Sequence, residues 1–342
     1  MAVYAIAMGM TKQNPRHRGA GSWFLRVGRL RLRSLMSTPP PADHSRFRHL
    51  QFRGEPPARA LLKPPRRASR ARPLGPGLAA PGARAQHALP ASHERFLQIA
   101  FRLAGLEMGR YRLPPLSRRL AACARALRCD TIEQATQRLQ DDPKLLPLVL
   151  NTLLIGVTSF FRDAAVFERL HRGILPRLLR SPRPLRVWSI GCSDGAELYS
   201  VAIQLSEHNA LSRVELLGTD CRSDAIARAS AGRYHIDAIA HLPVEIREKY
   251  FFQRAREAIL TSPLRAAARW RVQDLFVGGD WGTWDLILCR NLPIYLDASA
   301  AQMMWQRVAA ALPGTGVLVV GRAEKPPAHL FQQTAACMFG KR

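Results

Sequence analysis

The sequence contains no apolar run of about 18 residues, the length that a membrane-spanning helix needs. We therefore expect no transmembrane segment. The six cysteines include no CxxC pair and no zinc-ligand spacing, which favours reduced thiols over a metal site or a disulfide framework. The opening MAVYAIAMGM has no charged segment ahead of its apolar residues, so it is a poor secretory signal. These absences predict a cytoplasmic protein without a metal.

Acidic residues are scarce in the first 90 residues, where 17 Lys or Arg stand against only Asp43 and Glu55. The same segment holds 12 of the 25 prolines and buries too little apolar surface to offset its chain entropy. We therefore predict a disordered Arg/Pro-rich arm over residues 1–90. The arm either binds nucleic acid or anionic lipid nonspecifically, or it is an extension without function, even one that is wrongly translated. Because no aromatic-rich surface accompanies the charge, we expect no nucleic-acid partner.

Residues 91–150 carry apolar side chains at helical spacing in three successive segments. They predict a small, basic, all-helical domain that takes part in substrate recognition. Asp130 or Thr131 would cap the third helix. The three predicted helical segments are 95–106, 114–127 and 131–140.

Beyond residue 150, strand-like apolar segments alternate with amphipathic helices, which is typical of a parallel sheet with helices on both faces. Residues 151–342 are therefore predicted to form a Rossmann-like α/β domain. Its ligand would bind at the carboxyl ends of the strands, near the point where the strand order reverses. Residues 251–270 show little strand alternation. The predicted strands are 185–190, 214–220, 270–272, 283–291 and, as the terminal strand, 316–324.

The segment LRVWSIGCSDGAELYS, residues 185–200, joins a strand to a helix through a turn of small residues. Gly191 and Gly195 let the backbone turn tightly and approach a ligand closely. A phosphate site would usually offer Lys or Arg here, whereas Asp194 and Glu197 are acidic. The turn therefore favours a ligand with positive charge and hydroxyl groups. S-adenosylmethionine, with its sulfonium and ammonium groups, has this chemistry.

Asp220 ends the second predicted strand, where a carboxylate in a dinucleotide-type fold accepts hydrogen bonds from ribose hydroxyls. We predict that Asp220 binds the ribose of the cofactor. The alternative is that Asp220 caps the next helix, a position for which Ser223 and Asp224 are better placed.

From about Arg95 to Glu324, the chain resembles the CheR family of S-adenosylmethionine-dependent protein-glutamate O-methyltransferases, which act on chemotaxis receptors. The resemblance implies transfer of a methyl group to receptor glutamates, with S-adenosylhomocysteine as the other product. It implies the cytoplasmic helices of methyl-accepting chemotaxis receptors as partners, and we expect a monomer. The residues that carry it are TSFFRD (158–163), LRVWSIGCSDGAELYS (185–200), GTD (218–220), ARASAGRY (227–234), CRNLPIYLD (289–297) and GRAE (321–324).

The resemblance also implies roles for individual residues. Arg162 would hold the incoming carboxylate while keeping it charged, and Tyr295 would position the acceptor by a hydrogen bond. Alternatively, Arg162 forms an ion pair with Asp163 or Glu168, and Tyr295 is a half-buried packing residue. The predicted cofactor-binding residues, which include Gly191 of the turn, are Thr158, Arg162, Gly191, Glu197, Asp220, Asp274, Leu275, Arg290 and Asn291.

Several positions depart from the pattern of the family, among them Gly156, Ala196 and Leu198. Gly156 stands where Asn is usual, and Ala196 and Leu198 replace a Glu and a Pro. These departures motivate the alternative of a catalytically weak or inactive CheR-like scaffold that binds the cofactor in a signalling pathway.

The predicted helical domain has a basic face that suits an acidic receptor helix. Opposite charges would steer such a helix toward the cofactor site, although a solvated face is the simpler interpretation of any one arginine. The face consists of Arg118, Arg119, Arg125 and Arg128.

Overall fold

The structure, a computed structural model, describes residues 89–154, 156, 158–278 and 281–342. The predicted disordered arm, residues 1–90, therefore lies outside the described residues except for its last two. None of the helices in the described ranges has the length and apolar character that a membrane crossing requires.

Five short helices come first and pack around a core of their own, in which Phe96 and Phe101 are almost completely buried. Their apolar residues recur on one side of each helix, which turns that side toward the core. Thr131 caps the fourth helix by accepting a hydrogen bond from the backbone N–H of Gln134. The helices are α1 (Ala91–Leu103), α2 (Leu113–Ser117), α3 (Leu120–Ala126), α4 (Ile132–Asp141) and α5 (Leu146–Leu153).

The single helix predicted over residues 114–127 is wrong, because α2 and α3 are separate helices. Between them, the backbone N–H of Arg119 donates to the carbonyl of Leu116, three residues back. A hydrogen bond that spans three residues instead of four tightens the backbone and ends the regular α-helix. Leu116 and Leu120 still enter the same core, which explains why their spacing resembles that of one helix.

The described chain beyond α5 alternates between strands and helices, as predicted. The strands are β1 (Leu185–Ile190), β2 (Val214–Asp220), β3 (Arg233–His235), β4 (Phe251–Arg254), β5 (Glu257–Leu260), β6 (Ala268–Val272), β7 (Leu286–Cys289), β8 (Val317–Val320), β9 (Phe331–Ala335) and β10 (Met338–Lys341). The helices are α6 (Ala164–Arg169), α7 (Leu175–Leu178), α8 (Ala196–Glu207), α9 (Ser223–Ala231), α10 (Val244–Tyr250), α11 (Ser262–Ala267) and α12 (Ala298–Ala311).

Seven strands form one sheet in the order β6-β2-β1-β7-β8-β10-β9. The pairs from β6 to β8 are parallel, and β10 runs antiparallel to both of its neighbours. From β1 the chain extends the sheet first through β2 and β6, and then on the other side through β7 and β8. The strand order therefore reverses between β1 and β7. Two buried clusters of apolar side chains cover the sheet, which makes this the Rossmann-like α/β fold that the alternation predicts.

The prediction that residues 316–324 form the terminal strand is wrong. They contain β8, but β9 and β10 follow as a hairpin that extends the sheet to its edge. Along β9 only Phe331 is buried, and the next three residues are exposed. A strand with one buried residue has no alternating apolar pattern, which is why the sequence gives no signal for it.

Residues 233–260 include a second, smaller sheet with the strand order β3-β5-β4, in which both pairs are antiparallel. Residues 251–270 thus contain β4 and β5, although their sequence shows little strand alternation. Ala255, at a left-handed φ of 52°, lies in the tight connection between β4 and β5. On β5, Ala258 and Leu260 are buried, whereas Phe252 on β4 is 66% exposed. The three strands have only three or four residues each, too few for a clear alternation.

Trp270 of β6 packs its indole ring against glycine backbone in two neighbouring segments. A Cβ atom at Gly218 of β2 would lie 2.3 Å from the ring, and one at Gly195 would lie 2.5 Å from it. The ring also contacts Tyr199 of α8, with the ring centroids 5.2 Å apart. Glycine at both positions therefore allows Trp270 to hold α8 against the edge of the sheet.

Gly218→Ala should lower the free energy of unfolding by about 1–3 kcal/mol, because its methyl group overpacks the contact with Trp270. Gly314→Ala is the control, since no atom lies within 4 Å of a Cβ there, and it should change stability by less than about 0.5 kcal/mol. Chemical denaturation of both variants measures the difference. Equal stability of the Gly218→Ala variant and the parent would contradict the close packing.

Candidate functional site

The carboxyl ends of β1, β2 and β7 meet at the reversal of the strand order. The register pairs Ile190, the last residue of β1, with Thr219 of β2, so both strands end at the same level. Gly191 follows β1 and Arg290 follows β7. This edge is where an open parallel sheet binds its ligands.

Two adjoining cavities open at this edge, with about 790 and about 620 Å³ of space that is partly open to solvent. Trp188, Asp220 and Phe276 line the first chamber, and Arg162 and Glu197 line the second. The residues common to both are Gly156, Gly191, Arg290, Asn291 and Tyr295.

The structure brings all ten predicted site residues to these two chambers. They come from five separate parts of the chain, which only the topology of the sheet unites. Their contacts with a ligand remain predictions. Asp220, Asp274 and Leu275 line the first chamber, Thr158, Arg162 and Glu197 line the second, and Gly191, Arg290, Asn291 and Tyr295 line both.

The turn after β1 is held against the end of β2 by its own backbone. The backbone N–H of Cys192 donates to the carbonyl of Thr219 at 3.0 Å, and that of Ser193 donates to Oδ2 of Asp220 at 2.9 Å. Gly191 and Ser193 both have a left-handed φ, of 65° and 53°. The first amides of the turn are thus already bonded, and an anionic ligand would have to compete for them.

Asp220 is buried, and its carboxylate accepts four hydrogen bonds. Oδ1 accepts one from the backbone N–H and one from Nε of Arg222, both at 3.0 Å. Oδ2 accepts one from Nη2 of Arg222 at 3.2 Å and one from Ser193. Arg222 also lines the first chamber, and our sequence analysis did not identify it. An arginine two residues after the predicted ribose carboxylate was the available signal.

Arg290 is the centre of a buried ion-pair network, with only 1% of its side chain exposed. Nη1 donates to Oε2 of Glu197 at 3.1 Å, and Nη2 donates to Oδ2 of Asp163 at 2.5 Å and to the carbonyl of Arg162 at 2.9 Å. Glu197 also accepts a hydrogen bond from Ser189 at 2.9 Å. The Arg290 guanidinium therefore bonds mainly to the protein, and Glu197 has an internal cation beside it.

Arg162 lines the second chamber together with Thr158 and Tyr295. The two carboxylates considered as its alternative partners form ion pairs with other arginines. Glu168 pairs with Arg172 at 3.0 Å. Asp163 pairs with Arg290 and with Arg322. Arg162 thus lines the chamber, while both of these carboxylates pair with other arginines.

Asn291 has a left-handed φ of 59°, an unusual conformation for a residue other than glycine. The turn that it forms packs against residues 321–324. A Cβ atom at Gly321 would lie 2.9 Å from Nδ2 of Asn291 and 2.7 Å from Oε2 of Glu324, which accepts the Gly321 N–H. Burial raises the pKa of Glu324, while hydrogen bonds from backbone N–H groups lower it. Residues 321–324 therefore pack against Asn291 and stabilise its position.

Tyr111, which comes from the helical domain, also lines the first chamber, and our sequence analysis missed it. It pairs with Leu296 in an isolated antiparallel bridge, and the backbone N–H of Arg112 donates to the carbonyl of Tyr295 at 2.8 Å. Burial, with smaller contributions from Cys221 and Asp274, raises the pKa of Tyr111. Its phenol is therefore neutral. The contact joins residues so far apart in the sequence that no local pattern indicates it.

Comparison with known proteins identifies what this chain is similar to. Residues 156–338 match the family model described as "CheR methyltransferase, SAM binding domain". The chemotaxis protein methyltransferase of Listeria monocytogenes is 30% identical over 231 residues, which cover 67% of this chain and 88% of that protein. Chemotaxis protein methyltransferase 2 of Pseudomonas aeruginosa is 29% identical over 264 residues, covering 72% of this chain and 93% of that one.

Arg290→Met should destabilise the fold by about 3–5 kcal/mol, because it leaves Asp163 and Glu197 buried without their shared cation. Arg322→Met is the matched control. Arg322 also contacts Asp163 but is 68% exposed, so its loss should cost less than about 1 kcal/mol. Urea denaturation of both variants measures the difference, and equal losses would contradict the central role of Arg290.

Proposed function

Because this chain belongs to the CheR methyltransferase family, we propose that it methylates glutamate side chains of methyl-accepting chemotaxis receptors. The products are glutamate methyl ester and S-adenosylhomocysteine. The family assignment makes the chain an S-adenosylmethionine-dependent methyltransferase, and its curated relatives are enzymes named for chemotaxis. These names do not favour the inactive scaffold. The observation that carries the proposal is the position of Arg162, a cation that lines the second chamber together with Gly191 and Ser193 of the turn after β1.

The two chambers suit the two parts of the cofactor. Trp188, Leu275 and Phe276 give the first chamber apolar walls, as an adenine ring requires. The carboxylate of Asp274 accepts a hydrogen bond from the backbone N–H of Phe276, which holds the loop that forms one wall. Glu197 and its partner Arg290 border the second chamber, where the sulfonium-bearing part would lie.

The reaction needs alignment more than acid–base catalysis. A glutamate side chain has an unperturbed pKa of about 4.3, so the acceptor is ionised at neutral pH. S-adenosylmethionine supplies an electrophilic methyl group. A carboxylate oxygen forms a bond to the methyl carbon while the carbon–sulfur bond breaks and its electron pair stays on sulfur. The protein must hold three atoms in line and strip water from the carboxylate.

Arg162 is the residue that we assign to the acceptor carboxylate. A guanidinium is permanently charged and presents a fork of donors that matches a carboxylate, so it binds the anion without protonating it. Tyr295 lines both chambers and offers a second donor. Its backbone carbonyl is fixed by Arg112 of the helical domain. The helical domain therefore contacts the segment that carries Tyr295.

The four arginines of the predicted basic face lie wholly or partly at the surface of the helical domain. Arg118, Arg125 and Arg128 are exposed, and Arg119 is half-buried. No ion pair between described residues involves these four side chains. They can therefore attract an acidic helix toward the chambers without first losing an internal partner. Receptor glutamates on such a helix are the substrate that this charge favours.

Arg162→Ala should lower kcat/KM for methyl transfer to a receptor fragment by about 10²–10³, since one charge-stabilising donor is lost. S-adenosylhomocysteine affinity, measured by calorimetry, should change much less. Arg172→Ala is the control, because Arg172 pairs with Glu168 outside the chambers. Unchanged transfer by the Arg162→Ala enzyme would refute the assignment of Arg162 to the acceptor.

Charge reversal of the basic face, Arg118→Glu with Arg119→Glu, should raise KM for a receptor fragment and should weaken the dependence of KM on salt. The cofactor affinity should stay the same. Arg269→Glu with Arg271→Glu is the matched control, because these arginines lie on β6 at the edge of the main sheet, outside the helical domain. If the charge-reversed variant has the same KM as the parent at low salt, Arg118 and Arg119 do not steer the receptor fragment.

A further inference from the structure

Arg222 joins three parts of the chain through a single buried guanidinium. Nε and Nη2 bond to Asp220 as a fork, at 3.0 and 3.2 Å. Nη1 donates to Oδ1 of Asn151 at 3.2 Å and to the carbonyl of Leu154 at 3.0 Å, at the end of α5. Only 5% of Arg222 is exposed. Arg222 thus connects the carboxylate predicted to bind ribose with the end of α5.

Gly156 provides the space that this arrangement needs. A Cβ atom on Gly156 would lie 2.3 Å from Nη2 of Arg222, 2.8 Å from its Nη1 and 2.3 Å from Oγ of Ser193. No side chain can occupy that position while Arg222 and Ser193 stay where they are. Oγ of Ser193 also donates to the carbonyl of Gly156 at 2.9 Å. The side chain of Arg222 therefore fills the volume that glycine leaves beside the first chamber.

The paired hydrogen bonds from Nε and Nη2 of Arg222 orient the carboxylate of Asp220. One of the bonds to this carboxylate can still be exchanged for a bond from the ligand. Each carboxylate oxygen has about two acceptor sites, and all of them are used by Arg222 and Ser193. The bond from Nη2 is the longest of the four, so it is the one that a ribose hydroxyl would replace. Nε and the backbone N–H of Arg222 would still hold Oδ1. Asp220 could then accept the ribose without losing its orientation.

We propose that Arg222 is a positioning residue that orients Asp220 for the ribose of the cofactor, and that glycine at position 156 is its required counterpart. Arg222 acts through Asp220, so it controls how well the ribose hydroxyls are bound. The proposal rests on S-adenosylmethionine binding and on the ribose contact of Asp220. It is independent of the methyl acceptor, because binding of S-adenosylhomocysteine is measured without any receptor.

Calorimetry of the full-length protein with S-adenosylhomocysteine tests the pairing of positions 156 and 222. Arg222→Ala should weaken binding about ten- to hundredfold, the range for a hydrogen bond to a charged group. Gly156→Asn should weaken it at least as much, because the new side chain collides with Arg222. The double variant should bind no more weakly than either single variant, since removal of Arg222 makes room for Asn. Losses that multiply would overturn the pairing.

A ligand without ribose hydroxyls separates positioning from general structural support. The loss caused by Arg222→Ala should nearly disappear when the probe is an S-adenosylhomocysteine analogue that lacks both hydroxyls. Arg228→Ala is the matched control, because Arg228 lies on α9, which Arg222 immediately precedes, and contacts Asn151 and Asp224 but does not bond to Asp220. It should bind both ligands like the parent. Equal losses with both ligands in the Arg222→Ala protein would overturn the proposal.

Discussion

The buried guanidinium of Arg290 is the interaction on which the second chamber depends. Removing a cation from water is costly, and Arg290 offsets this cost with two carboxylates that reach it from different elements. Glu197 comes from the first turn of α8, and Asp163 immediately precedes α6. Because Arg290 also bonds to the carbonyl of Arg162, it fixes the backbone that presents the proposed acceptor-binding side chain. One buried cation thus connects the end of β7 with both of these helices.

A second set of contacts makes the helical domain part of the candidate site. Tyr111 forms a wall of the first chamber, and Arg110 and Arg112 bond through their backbones to the chain on either side of Leu296. These bonds hold Tyr295, which lines both chambers. The part of the protein that carries the basic face therefore also shapes the pocket.

Local sequence patterns predicted the helices and strands with regular apolar spacing and the polar residues that follow the strands. The small-residue turn after β1 and the acidic end of β2 both follow from spacing and residue type, whereas most of the ten predicted residues that line the chambers came from the resemblance to the family. Arg222 and Tyr111 were not predicted from the sequence, because their importance comes from contacts between distant segments. The short strands β3, β4 and β5 escaped because strands of three or four residues are too short for a period of two to stand out. Arg290 was identified, but its burial between Glu197 and Asp163 required the fold.

The most direct test of the account is the chemical identity of the methylated group. A receptor cytoplasmic fragment is incubated with the full-length protein and S-adenosylmethionine, and its peptides are mapped by mass spectrometry before and after mild alkali. The account predicts a methyl group on glutamate side chains that alkali removes, as expected for a carboxyl ester. Alkali-stable methylation on another residue type, or no methylation by protein that binds S-adenosylhomocysteine, would contradict it.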